Sequence, residues 1–201
     1  MEIKAPREGR VELFNVEPQV FLDFIFRFAR SEEIGVVGSQ FENEIKTKAP
    51  NVGVLGLYAC DALVAVLSYY ISRSSREQNL VSSKLDIVVT LPQCRKLGVG
   101  ALLIAYYFET ILKKYGEQLA TISVTAEHPG VVKTLVKYGF NRPAEFIKSP
   151  LVSLEITDKN RRDHFCKTLQ QELTNRHRAV KLKCLNCQRF SYKTPWCRSE
   201  V

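Results

Sequence analysis

Leu85-Asp86-Ile87-Val88-Val89-Thr90-Leu91-Pro92-Gln93-Cys94-Arg95-Lys96-Leu97-Gly98-Val99-Gly100-Ala101-Leu102-Leu103 passes from a nearly continuous apolar run through a basic, glycine-spaced turn into a second apolar stretch. The first run, within Leu80 to Leu91, predicts a strand buried on both faces at the middle of a sheet, stopped by Pro92. Beyond the turn, Gly98 to Tyr115 carries Leu102, Leu103, Tyr106, Phe108 and Ile111, too broadly apolar for a surface helix, so it should pack hard on that sheet. A strand feeding a helix through two closely spaced glycines makes an anion site. The glycines let the backbone approach a ligand, the first helical N–H groups lack partners, and the helix dipole adds about half a positive charge there.

The flanking sequence extends this pattern in both directions. Val11 to Val16 reads as a strand, and Pro18 opens a helix with Val20, Phe21, Phe24, Ile25 and Phe28 at helical spacing. Ser39 to Thr47 is a short helix stopped by Pro50. Val52 to Cys60 and Leu63 to Ser72 are rich in strand-forming residues and close enough for a hairpin, and Arg73 to Asn79 is a polar loop. Downstream, Leu119 to Ala126 reads as a strand, Gly130 to Tyr138 as a helix ended by Gly139, and Pro150 to Ile156 as a strand. From Asp158 to about Arg178, Phe165, Leu169 and Leu173 fall at i, i+4, i+8, the spacing of an amphipathic helix. The order is a mixed α/β alternation.

At 201 residues, 45% hydrophobic and 25% charged, the chain has enough apolar surface for one main core. It contains no apolar run long enough to span a bilayer, and its first residues lack the charged-then-apolar pattern of a secretory signal. An intracellular protein, cytoplasmic or nuclear, is the expectation. The formal charge of +8 is uneven: Thr157 to Val201 holds 11 Lys/Arg against 4 Asp/Glu, and so carries nearly all the excess. Such an end is either a solvated helix face or a surface for nucleic acid or an acidic protein. The expected division is a catalytic domain over residues 1–156, followed by a basic helix and cysteine-bearing tail over 157–201.

Gly98-Val99-Gly100 lacks the third glycine of a dinucleotide fingerprint and follows several strands rather than the first; it also lacks the Gly-Lys-Ser/Thr of a Walker loop. The segment does resemble the GNAT acyltransferase superfamily. That family's signature is a Pro shortly before Arg/Gln-x-x-Gly-x-Gly/Ala, between a central strand and a long helix, and Pro92, Arg95, Gly98 and Gly100 match it. Leu119 to Tyr138, closed by Gly139-Phe140, is similar to its next strand and helix, so the likeness covers Val11 to Phe140. The resemblance implies a GNAT fold, with a mixed central sheet and flanking helices, and acetyl-CoA as co-substrate. Backbone amides from Lys96 through Leu97, Gly98, Val99 and Gly100 to Ala101, in the loop begun by Arg95, would hold the pyrophosphate. The backbone of Val88, Val89 and Thr90 would pair with the pantetheine arm. His128 stands where the family has an asparagine that touches pantetheine, and is otherwise a neighbour of the helix cap.

The chemistry implied is direct attack of an amine on the thioester, which needs a base and oxyanion donors. Glu127 is one candidate base, because Thr125-Ala126-Glu127-His128-Pro129 is similar to the Thr-Ala-Glu-Asp-Pro loop of type B histone acetyltransferases. Asp86 is the other, since burial on an apolar strand would raise its pKa toward a useful value unless a cation pairs with it. Many family members place a tyrosine, as general acid, four residues before the Gly-Phe glycine; here that position is Leu135. Tyr138, about one helical turn on, is the candidate replacement or else a core residue.

Cys184-Leu185-Asn186-Cys187, with Cys197 nine residues later and His177 as the nearest fourth ligand, has the opening spacing of a zinc site but lacks a second close pair. Alternatively Phe190, Tyr192 and Trp196 beside Arg189 and Lys193 make a docking surface able to stack on nucleic acid. Two functions therefore compete. One is an N-acetyltransferase acting on a primary amine of a protein, lysine or N-terminus. The other is a GNAT-fold binding module without turnover, holding nucleic acid or an acidic partner through its tail. A small-amine acceptor would need an acidic cleft, and no acidic run in the sequence would line one.

Overall fold

The computed structural model describes residues 11–29, 39–47, 49–59, 62–74, 80–125, 129–141 and 151–185. Strand β1 (Val11–Asn15) leads into helix α1 (Pro18–Phe28), where Pro18 is tolerated in the first turn and Phe21, Leu22, Phe24 and Ile25 are buried. Helix α2 (Ser39–Lys46) follows, then β2 (Val52–Ala59), β3 (Ala62–Arg73) and β4 (Val81–Thr90). Next come helix α3 (Val99–Tyr115), β5 (Leu119–Thr125), α4 (Pro129–Lys137), β6 (Leu151–Glu155) and α5 (Lys159–Leu185). The six strands lie in sequence order in one sheet. Strands β1 to β4 form an antiparallel meander, β5 runs parallel to β4, and β6 is antiparallel to β5.

The expected hairpin, the mixed α/β order and the apolar helix after the glycines are all present. The expectation that β4 is buried on both faces is not met. Burial alternates along it: Val81, Ser83, Leu85, Ile87 and Val89 are buried, Lys84 is exposed, and the residues between are half-buried. The cause lies in what covers each face. The buried Ser83 hydroxyl sits 2.7 Å from the Tyr107 hydroxyl of α3, which fixes α3 over one face. On the other face the Tyr70 hydroxyl donates to Glu44 Oε2 of α2 at 2.6 Å, and α2 packs on α1, which itself contacts β2, β3 and β4. Past the bulge the half-buried Val88 and Thr90 lie beside Gly100 at the start of α3.

Two irregularities in β4 shape the middle of the sheet. Ser68 of β3 pairs with Ile87 and Tyr69 with Leu85, so Asp86 is the extra residue of a β-bulge. Pairing of β4 with β5 extends only from Val81 to Leu85, while β5 continues along β6 to Thr125. The last pair of the two parallel strands is Leu85 with Val124, and β5 ends one residue later at Thr125 while β4 runs on to Thr90, which leaves the β5-facing edge of Ile87 to Thr90 without a strand partner among the described residues.

The boundary expected after Ile156 is not a packing boundary. Phe165 of α5 is fully buried among Phe108, Tyr138 and Phe140, and Leu169 is 4% exposed. The Arg162 guanidinium donates to the carbonyls of Ile156, Gly116 and Leu119, which closes the first turns of α5 onto the end of α3 and the start of β5. The i, i+4, i+8 stripe did identify the buried face; what it could not give was that this face completes the main core.

Candidate active site

The turn after β4 is built from one 3₁₀ turn, Pro92–Cys94, and two left-handed residues. Lys96 has φ 64° and Gly98 has φ 86°, and Gly98 caps α3. Only glycine adopts the left-handed region without steric cost, so Gly98 suits the reversal, whereas Lys96 is held there by its surroundings. A Cβ on Gly98 would have no neighbour within 4 Å, so the turn faces open space. A Cβ on Gly100 would come 3.0 Å from Thr90 Oγ1 and 3.9 Å from Val88 Cγ1. The second glycine therefore keeps the helix start close against the end of β4. The first intrahelical bond runs from Leu102 N–H to Gly98 O, which leaves the earlier N–H groups of the first turn, including those of Val99, Gly100 and Ala101, without intrahelical acceptors.

These features together suit an anionic ligand with an extended arm. The amides of the first turn and the dipole end suit the charge, and the edge without a strand partner offers backbone groups of Val88 and Thr90 to the arm, whereas the backbone of Val89, expected there too, faces β3. The residues present thus fit an acyl-CoA. Arg95 is placed differently from its loop neighbours: its Nη2 donates to Phe28 O at 2.8 Å and its Nε to Thr90 O at 3.3 Å.

Asp86 lies at the bulge, just past the last β4–β5 pair, with its side chain 13% exposed. Burial pushes its carboxyl above the usual value, Lys84 with Nζ 3.9 Å away opposes this, and the negative charge of Glu44 adds to it. Burial, reinforced by the Glu44 contact, also raises the Tyr70 hydroxyl, so that hydroxyl remains a donor. Glu44 and Tyr70 were not singled out in the sequence. They are 26 positions apart and come near Asp86 only because α2, packed on α1, reaches Tyr70 of β3, and no local pattern records that.

Tyr138 is fully buried, in ring contact with Phe108 and Phe165, and burial pushes its hydroxyl up to about 12. This is the placement of a core tyrosine, the second of the two readings that the sequence offered for Tyr138. Leu135 is likewise fully buried. Glu127 and His128 lie outside the described residues. So do Cys187, Cys197 and the side chain of Cys184, although the α5 backbone extends to Leu185. His177 is described, and its Nδ1 lies 2.5 Å from the Tyr106 hydroxyl of α3. Among the described residues no group of three or more His, Cys, Asp or Glu is arranged to hold a metal ion. A separate cavity of about 330 Å³, lined by Gly139, Asn141, Leu154, Asn160, Arg161 and His164, contains no residue of the loop. No described helix is long and apolar enough to cross a membrane.

No protein-family model matches the chain, and no curated protein matches it. Solved structures do. A mutant of the AtaT toxin, bound to the C-terminus of the antitoxin AtaR and acetyl-CoA, aligns with TM-score 0.53 and 13% identity over 82% of this chain and 99% of that one. The KacTA–DNA complex aligns with TM-score 0.53 and 17% identity over 83% and 99%. The PaiA N-acetyltransferase from Thermoplasma acidophilum, in complex with coenzyme A, aligns with TM-score 0.52 and 15% identity over 73% and 99%. At these identities the likeness establishes the fold.

Proposed function

With the GNAT fold as premise, we propose that this chain is an acetyl-CoA-dependent N-acetyltransferase that acetylates a primary amine, on a protein lysine or N-terminus. The observation that carries the reading is the conjunction at one end of β4. Pairing with β5 ends at Leu85 while β4 continues to Thr90, and the turn that follows presents Gly98 to open space and Gly100 against Thr90. Two of the three structural neighbours described above, the AtaT mutant and the PaiA N-acetyltransferase, hold acetyl-CoA or coenzyme A, which supports the same ligand class here.

In this reading acetyl-CoA supplies the activated acetyl group. Residues Lys96 to Ala101 hold its pyrophosphate by backbone N–H groups, and Val88 and Thr90 orient its arm along the free strand edge. An acceptor amine arrives as an ammonium and must lose a proton before its nitrogen attacks the thioester carbonyl. As the C–N bond forms the C–S bond breaks, and the thiolate leaves to take up a proton. Asp86 is the described residue best suited to accept the ammonium proton, because its enclosed carboxylate has raised proton affinity and stands just past the last β4–β5 pair. Glu127 is the alternative base.

Calorimetric titration of acetyl-CoA into the intact chain, and into a variant with Gly98 and Gly100 both replaced by bulkier residues, tests the reading. Micromolar binding lost in the variant supports it. No binding by a folded intact chain overturns it. One observation favours a second reading, a binding module without turnover: Leu135, buried, stands where the family keeps its acid. Salt-sensitive affinity for nucleic acid, lost together with the basic residues beyond Ile156 and unaccompanied by acetyl transfer, would establish that alternative.

A further inference from the structure

Arg95 matches the phosphate-loop signature, yet its guanidinium makes its two hydrogen bonds to backbone carbonyls of other elements: Phe28 O at the end of α1 and Thr90 O at the end of β4. The donors are different nitrogens of one planar group, so the two acceptors are held at a fixed separation by a rigid fork. Phe28 O belongs to the last turn of α1, where carbonyls lack intrahelical donors; the cap closes with Ala29 N–H on Ile25 O. Thr90 is the residue whose hydroxyl limits the space at Gly100. Arg95 itself directly precedes Lys96, the non-glycine residue at φ 64°. One side chain thus links the end of α1, the end of the central strand and a turn held in a costly conformation.

We propose that Arg95 is a positioning residue, a staple that fixes the anion loop against α1 and β4, acting on ligand affinity through loop geometry rather than by carrying its charge to the phosphates. The staple explains how Lys96 keeps a left-handed backbone without a glycine: the turn is anchored on both sides of it, by Arg95 and by the α3 cap at Gly98. It also ties the end of α1 to the loop, so that disturbing one loosens the other.

Two variants test this, Arg95→Gln, which removes the charge, and Arg95→Lys, which keeps it but replaces the fork by a single ammonium. In the ligand-free protein, amide hydrogen exchange should quicken in both variants at Ala29 and at Arg95 and Leu97 together, while the buried amides of β3 and β4 keep their protection. Acetyl-CoA affinity, the one readout that rests on the proposed function, should fall about tenfold in both, with the salt dependence of the intact protein retained. Unchanged exchange at either segment, a uniform loss of protection, or a Lys variant with full affinity would each overturn the staple. Should the Gln variant fail to fold, the Lys variant decides the question by itself. Failure of the intact protein to bind acetyl-CoA would sink the acyltransferase reading instead, and the exchange experiment would still settle the role of Arg95.

Discussion

Asp86 is under two opposing demands: its carboxylate is costly to ionise where it stands, and the proposed chemistry needs it ionised. Asp86→Asn should lower kcat/KM by about 10²–10⁴, the range for loss of a general base. Wild-type activity should fall on the acid side as pH drops through the raised carboxyl value, because the protonated form cannot accept the ammonium proton. The stability effect has the opposite sense. A carboxyl raised in the folded state above its ordinary value of 3.8 binds its proton more tightly folded than unfolded, so stability is lost as pH rises through the folded value. The Asn variant should therefore melt higher than wild type at pH 7, with the gain shrinking toward pH 3.8. Thermal melts at both pH values check this, and a lower melting point at pH 7 would contradict it. The two glycines should separate in the same way. Gly98→Ala places a side chain at φ 86° and should cost about 1–2 kcal/mol of stability. Gly100→Ala meets only a movable hydroxyl at 3.0 Å, so it should cost little stability but weaken acetyl-CoA binding measurably by calorimetry.

Helix α5 shows how an element read as an appendage becomes part of the core. Its Phe165, Leu169 and Leu173 stripe was legible because helical periodicity is local, whereas the aromatic group it enters comes from α3 and the stretch after α4. Phe165→Ala should cost about 3–5 kcal/mol in denaturant unfolding, the range for emptying a large buried aromatic site. A chain ending at Ile156 should fail to give a cooperative transition, since it would lose that ring and the three carbonyl contacts of Arg162. Polar Lys113, Lys137 and Arg176 of these helices pair with acidic neighbours, which are rim contacts of modest worth.

At the scale of the whole molecule, the proposed ligand spans the end of β4 that lacks a strand partner and the turn after it, and this can be tested without knowing the acceptor. Amides of Val88 and Thr90, which face away from β3, and of Gly98 to Ala101 should exchange quickly in the free protein and slow together when acetyl-CoA is added, while β2 and β3 are unaffected. Protection confined to one of the two segments would contradict a single ligand spanning both. Addition of salt should weaken the binding, because the ligand is anionic and the loop is basic.

The sequence by itself determined the order of elements, the turn chemistry at Gly98 and Gly100, the apolar character of α3 and the buried stripe of α5, because propensity, periodicity and glycine spacing are properties of neighbouring residues. Only the tertiary structure decided how burial alternates along β4, since that depends on which helices pack on each face and on the bulge at Asp86. Contacts between distant segments also made Asp86 a bulge residue beside Glu44 and Tyr70, spent the Arg95 guanidinium on Phe28 and Thr90, and enclosed Tyr138 in the core. Each of these was settled by which surfaces the fold brings together, and a linear pattern does not encode that.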